Sequence, residues 1–160
     1  MQFRTIDTKN DRDTIITFRR DSFMVSYGSD EGLGDEDAYV LLIEERVRKF
    51  PEGLVLVEEV GKIIGQIELQ IRNYEGRDIG YVNLFYLIPE FRGKGYGLKL
   101  LEYAENFFRK YLVNEYHLKV SPTNVRALRF YEKYGLKKLK EEKQKNVAWR
   151  MIKELETTIC

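Results

Sequence analysis

The segment Ile63-Ile-Gly-Gln-Ile-Glu-Leu-Gln-Ile71 puts Ile67, Leu69 and Ile71 on one side and polar partners on the other. That is the two-residue period of a half-buried strand. Leu54–Val57 is a β-rich run before it, separated by the turn Glu58–Lys62. After a second turn over Asn73–Asp78, Tyr81–Ile88 is almost wholly apolar, as a central strand covered on both faces would be. Elsewhere the period changes to that of a helix. Ile15, Ile16, Phe18, Phe23 and Met24 mark one helix over 11–27, with Asp11 or Asp13 as its cap. Tyr39, Val40, Leu42, Ile43 and Val47 mark another over 37–49, ended by Pro51-Glu52-Gly53. Leu98, Leu101, Ala104, Phe108 and Tyr111 form the apolar stripe of a third helix over 98–112. A fourth spans 123–134 and stops at Gly135, which suits the C′ position. Short strands are expected at Phe3–Ile6, Tyr116–Val120, Leu136–Leu139 and Asn146–Ile152, the last two forming a hairpin across Glu141–Lys145. The expected order is β-α-α-β-β-β-α-β-α-β-β, one α/β unit over residues 1–160 with neither repeat nor linker.

Composition narrows the function classes. A chain of 160 residues buries enough surface to fold without a staple. It has one cysteine, Cys160, and one histidine, His117, too few for a structural zinc site, so no metal is expected. Its net charge of +1 lacks the basic excess of a dedicated nucleic-acid binder. The lysines of 137–145 alternate with Glu141 and Glu142 and read as an exposed hairpin. No signal-peptide core opens the chain and no run approaches a membrane span, so a cytoplasmic protein with no nucleic-acid or membrane partner is expected.

Between the apolar strand and the third helix stands Arg92-Gly-Lys-Gly-Tyr-Gly97. Glycines let a backbone turn tightly and approach a ligand, and a helix N-terminus favours phosphate. The dinucleotide fingerprint G-x-G-x-x-G fails here, because its third glycine would fall on Leu98 or Leu100. The P-loop fails as well, because Lys94 is followed by Gly95.

What remains, Arg92-x-x-Gly95-x-Gly97 after a strand, resembles the acyl-CoA motif R/Q-x-x-G-x-G/A of the GNAT superfamily of N-acetyltransferases. Leu84 to Gly97 is similar to the whole strand and turn of that family. Asn124-Val-Arg-Ala-Leu-Arg-Phe-Tyr-Glu-Lys-Tyr-Gly-Leu136 resembles its second signature, at the family's spacing. The resemblance is strong over about 53–140 and only topological over 1–52, where the family varies.

The resemblance implies a fold and an activity. The fold is α/β (α+β): a mixed, mostly antiparallel sheet that splays between its fourth and fifth strands, flanked by about four helices. The activity is direct acetyl transfer from acetyl-CoA to a primary amine of a small molecule. The alternatives are a protein or peptide N-acetyltransferase and an acyl-CoA-binding sensor without turnover. Many members are dimers, so a homodimer is an expectation. Backbone N–H groups of Arg92, Gly93, Lys94, Gly95, Tyr96 and Gly97 would hold the pyrophosphate. Leu87 and Ile88 would offer backbone groups to the pantetheine arm, as would the side chain of Asn124, which also suits an N-cap. Tyr131 would be the general acid for the CoA thiolate, a departing group weakly basic enough for a tyrosine to serve.

The general base is less legible. Asn83 occupies the position where many relatives carry a glutamate, and it can only orient a water or the acceptor. Glu68, on the polar and therefore solvent-reading side of its strand, and Tyr81 are the other candidates. The acidic loop within Gly28–Asp37 either attracts a cationic amine or caps a helix.

Overall fold

The computed structural model describes residues 1–143 and 146–156. The expected hairpin tip at Glu141–Lys145 therefore lies partly, and Cys160 wholly, outside the described residues. The strands are β1 (Gln2–Thr5), β2 (Leu54–Glu59), β3 (Lys62–Tyr74), β4 (Arg77–Leu87), β5 (Glu115–Val120), β6 (Lys137–Lys143) and β7 (Val147–Glu154). They form one seven-stranded sheet in the order β1-β2-β3-β4-β5-β7-β6. Every pairing is antiparallel except β4 on β5. That exception follows from the chain: β4 and β5 are joined through a helix, the crossover that parallel strands need.

Helices α1 (Arg12–Tyr27) and α2 (Glu36–Lys49) cover one face of the sheet, where Ile15, Phe18, Ile43, Leu54, Leu56 and Tyr86 pack together. Helices α3 (Tyr96–Lys110) and α4 (Val125–Lys133) cover the other, over Leu69, Val82, Leu101, Phe108, Tyr116 and Leu118. The expected elements are all present, with shifted bounds. The turn expected over Asn73–Asp78 contracts to Glu75-Gly76, both at positive φ as tight hairpins prefer, because the polar residues beside it pair as strand. Helix α3 begins at Tyr96, two residues before Leu98, because Gly95 in the left-handed region serves as its N-cap. It ends at Lys110, which leaves Tyr111 exposed rather than on the buried stripe.

One irregularity creates the site. In the β3–β4 ladder Glu68 faces Leu84 and Leu69 faces Val82, so Asn83 is an extra residue, a β-bulge. Beyond it β4 bends away from β5. Their pairing covers only Gly80–Val82 against Tyr116–Leu118. The sheet is thus split from Asn83 onward, and a cleft opens between the two strands.

Candidate active site

The cleft has a volume of about 630 Å³ and is lined from α1, α2, β3, β4, the glycine turn, β5 and α4. Arg92, Gly93, Gly95, Gly97, Asn124, Tyr131, Asn83, Glu68 and Leu87 all line it. Residues as far apart in sequence as Glu68 and Tyr131 are therefore brought to one cleft.

The glycine turn is built for close approach. Gly93 (φ 72°) and Gly95 (φ 88°) hold the left-handed conformation that side-chain-bearing residues rarely adopt. Gly97 sits in the first turn of α3, where a Cβ would lie 3.1 Å from the Phe130 ring, so it also allows α3 and α4 to pack. The first N–H groups of α3 have no intrahelical partner and carry the positive end of the helix dipole. Arg92 fastens the turn: its Nε donates to the Leu87 carbonyl (2.8 Å) and its Nη2 to Asp21 Oδ2 (2.8 Å). Asp21 also accepts from the Tyr86 hydroxyl, which ties α1 to β4 and to the turn. Lys94 and Tyr96 lie outside the main cleft, against a second cavity of about 540 Å³.

The free edge of β4 is the middle of the cleft. The N–H and C=O of one strand residue point the same way. Since the Leu87 carbonyl reaches Arg92 rather than β3, the Leu87 N–H also faces the cleft. Ile88 is turned the other way. Its N–H donates to Ile64 O (2.8 Å), its carbonyl accepts from Phe91 (3.0 Å), and it does not line the cleft. The expectation that Ile88 serves a ligand through its backbone therefore has no free group to rest on.

Asn124 is the N-cap of α4, its Oδ1 accepting from the Ala127 N–H (3.3 Å), and it also lines the cleft. Its amide donors remain for a ligand. The α4 helix ends as expected, with Gly135 at φ 98°. Tyr131 faces the cleft near Phe85, ring centroids 6.5 Å apart, and its hydroxyl has no hydrogen-bond partner among the described residues. Burial pushes its pKa up, so the hydroxyl keeps its proton through neutral pH.

Glu68 corrects the solvent-facing expectation: it is only 4% exposed, because α2 lies across it. The Tyr39 hydroxyl donates to its Oε2 (2.6 Å), as does Gln66 Nε2 (3.0 Å). Arg46 Nη1 stands 3.6 Å from its Oε1. Burial raises the Glu68 pKa, while Tyr39, Arg46, Arg19 and Gln66 oppose that rise. Gln66 Oε1 is buried without a partner.

Asn83, at the bulge, is exposed, and its Oδ1 accepts from Gln70 Nε2 (2.7 Å). Tyr81 is buried, does not line the cleft, and lies beneath Arg72, whose guanidinium is 4.6 Å from the ring centroid. Burial raises its pKa, so its hydroxyl also holds its proton.

The acidic loop is not part of the cleft. Asp35 caps α2 through the Asp37 N–H (3.1 Å), Glu36 meets Arg20 (2.7 Å), and Asp37 meets Arg12. None of 28–37 lines the cleft. The loop joins α1 to α2, and the reading that it attracts a cationic amine has no support. Sequence reasoning took Tyr39 only as an apolar helix position and did not single out Arg46, Arg19 or Asp21. They lie on helices whose local pattern shows only an amphipathic surface, and tertiary packing alone carries them to the cleft.

Comparison with known proteins places these observations. The model of the Acetyltransferase (GNAT) family matches residues 16–136. An uncharacterized N-acetyltransferase of Methanocaldococcus jannaschii is 28% identical over 113 residues, which is 68% of this chain and 48% of that protein. The chain spans about half the length of the curated relatives it matches. The crystal structure of PH1933 from Pyrococcus horikoshii superposes with a TM-score of 0.74 at 28% identity, covering 98% of this chain and 99% of that one. The putative acetyltransferase yncA of Salmonella typhimurium, solved with acetyl-CoA, shares the fold at a TM-score of 0.73 and 20% identity, covering 100% of this chain and 96% of that one.

Proposed function

The chain belongs to the GNAT acetyltransferase family, and from that premise we propose that it transfers an acetyl group directly from acetyl-CoA to the primary amine of a small molecule. One observation carries the reading. One cleft is lined by a phosphate-suited glycine turn, by a buried carboxylate and by the free edge of β4.

The residues fit acetyl-CoA. Gly95 leaves the turn bare, Gly93 lies against the Arg126 guanidinium, the first N–H groups of α3 suit the pyrophosphate, and the Leu87 N–H and Asn124 amide suit the pantetheine arm. Bound there, acetyl-CoA would supply a thioester carbonyl as electrophile. Glu68, through the Oε1 that faces Arg46, takes the proton lost as the amine nitrogen bonds to that carbon. Tyr131 would give its proton to the sulfur as the C–S bond breaks, leaving the N-substituted acetamide and CoA thiol. Asn83 sits where the strands part and helps hold the acceptor. Holding donor and acceptor together supplies much of the rate. The sole cysteine, Cys160, is remote in sequence from every motif, so no acyl-enzyme step is invoked.

The test is a panel of small primary amines and of peptides with free N-termini, each with acetyl-CoA, following thiol release and the mass of the product. Amine-dependent release with acetylated small molecules supports the proposal. Acetylation of peptides alone, acetyl-CoA binding without release, or no binding at all would each overturn it.

A further inference from the structure

We propose that Arg19, with Arg46, makes this cleft selective for amines that also carry a carboxylate. This rests on the acetyl-transfer reading above and names the acceptor class. Among the charged residues lining the cleft, Glu68 is the single carboxylate, against Arg19, Arg46, Arg92, Lys119, Arg126 and Lys133. These cations are not equivalent. Arg92 is paired with Asp21, and Lys119 with Glu142 (2.7 Å). Arg126 lies against Gly93 of the glycine turn, and Lys133 is the last residue of α4. Arg46 of α2 approaches Glu68 directly and Arg19 of α1 approaches it through Tyr39.

Arg19 meets no carboxylate among the described residues. Its guanidinium stacks 4.2 Å from the centroid of Tyr39, the tyrosine that donates to Glu68, and stands 5.9 Å from that of Phe23. A guanidinium held over an aromatic ring loses part of its freedom and keeps its fork of donors for a partner, which suits bidentate capture of a carboxylate. Arg46 lies 3.6 Å from Glu68, beyond hydrogen-bond length, and retains donors for a second anion. A cation in the cleft without its own anion, one ring away from the carboxylate that takes a proton from the amine, describes an acceptor with both groups on one small skeleton. The exposed apolar side chains of Val25 and Leu42 also line the cleft and suit an aliphatic body.

The test uses the products as probes, because they lack the amine and its own titration. Binding of N-acetyl-L-leucine and of N-acetyl-L-leucinamide to the full chain with saturating CoA is measured by calorimetry. A charge-assisted contact of this kind predicts that the acid binds about tenfold more tightly than the amide at low salt. Arg19→Gln should bring the ratio near one, and Arg19→Lys should keep part of it. Equal binding of the two probes, tighter binding of the amide, binding of neither, or a ratio untouched by Arg19→Gln overturns the inference. The amine panel judges acetyl transfer separately, so the two failures are distinguishable.

Discussion

The Tyr39 hydroxyl donates to Glu68 Oε2 at 2.6 Å, joining a helix of the first third of the chain to the strand that flanks the split in the sheet. Burying a carboxylate is costly unless it is hydrogen-bonded or paired, and here Tyr39, Gln66 and Arg46 fill that role. On the proposed mechanism the pair connects the fold of residues 1–52 to the proton that acetyl transfer must remove.

Removing the Tyr39 hydroxyl tests that connection. Its hydrogen bond lowers the Glu68 pKa against the rise due to burial. In Tyr39→Phe the Glu68 pKa should rise further, so the acidic limb of the kcat profile should move to higher pH. Measurement of kcat against pH at saturating amine checks this, and a limb that stays in place or moves downward counts against Glu68 as the base.

Glu68→Gln keeps the shape and loses the base. General-base catalysis is typically worth about 10² to 10⁴ in rate. The variant should lose kcat on that order while still binding acetyl-CoA, as read by calorimetry. A kcat near the wild-type value would assign the base elsewhere.

Tyr131→Phe removes a hydroxyl that burial keeps protonated. It should lower kcat more than it weakens acetyl-CoA binding. Rescue of the variant by an acetyl thioester with a more acidic leaving thiol, used with the same amine, would locate the defect in the departing sulfur. An unchanged kcat removes the role.

His117 governs stability in mild acid. It is fully buried, its Nδ1 accepting from Arg150 Nε (2.8 Å) and its Nε2 lying 2.7 Å from Glu115 Oε2. This fixes the neutral Nε2–H tautomer, and a second proton would set Nδ1–H against the guanidinium. Burial holds its pKa below the ordinary 6.5, with Glu115 opposing and Arg150 reinforcing the shift. The unfolded chain then binds more protons than the folded one below about pH 6.5, so stability is full above that pH and falls as pH drops toward the folded value. Urea midpoints at pH 7.5 and pH 5.5 should show this loss, and His117→Gln should flatten it. Equal midpoints in the wild-type chain would show that the ring titrates as in water.

How much of this the chain itself reveals depends on range. The glycine turn and the cap at Asn124 are written locally, in residues whose backbone needs are specific, so Gly93, Gly95 and Gly135 read directly. The strand at 67–71 reads from its period. The same period misplaces Glu68, because alternation tells which side of a strand a residue takes and not what covers that side; α2 covers it. The bulge at Asn83 leaves no local mark either, since it is a register relation between two strands. Ile88 fails for the opposite reason, as strand parity decided which way its backbone points, and that parity is set by the ladder with β3.

The central claim is that donor and acceptor occupy one cleft together and that the acetyl group passes straight between them. Initial rates measured over a grid of acetyl-CoA and amine concentrations test it most directly. Double-reciprocal lines that intersect, as a ternary complex requires, are the expected result; parallel lines, the mark of an acetyl-enzyme, would contradict it.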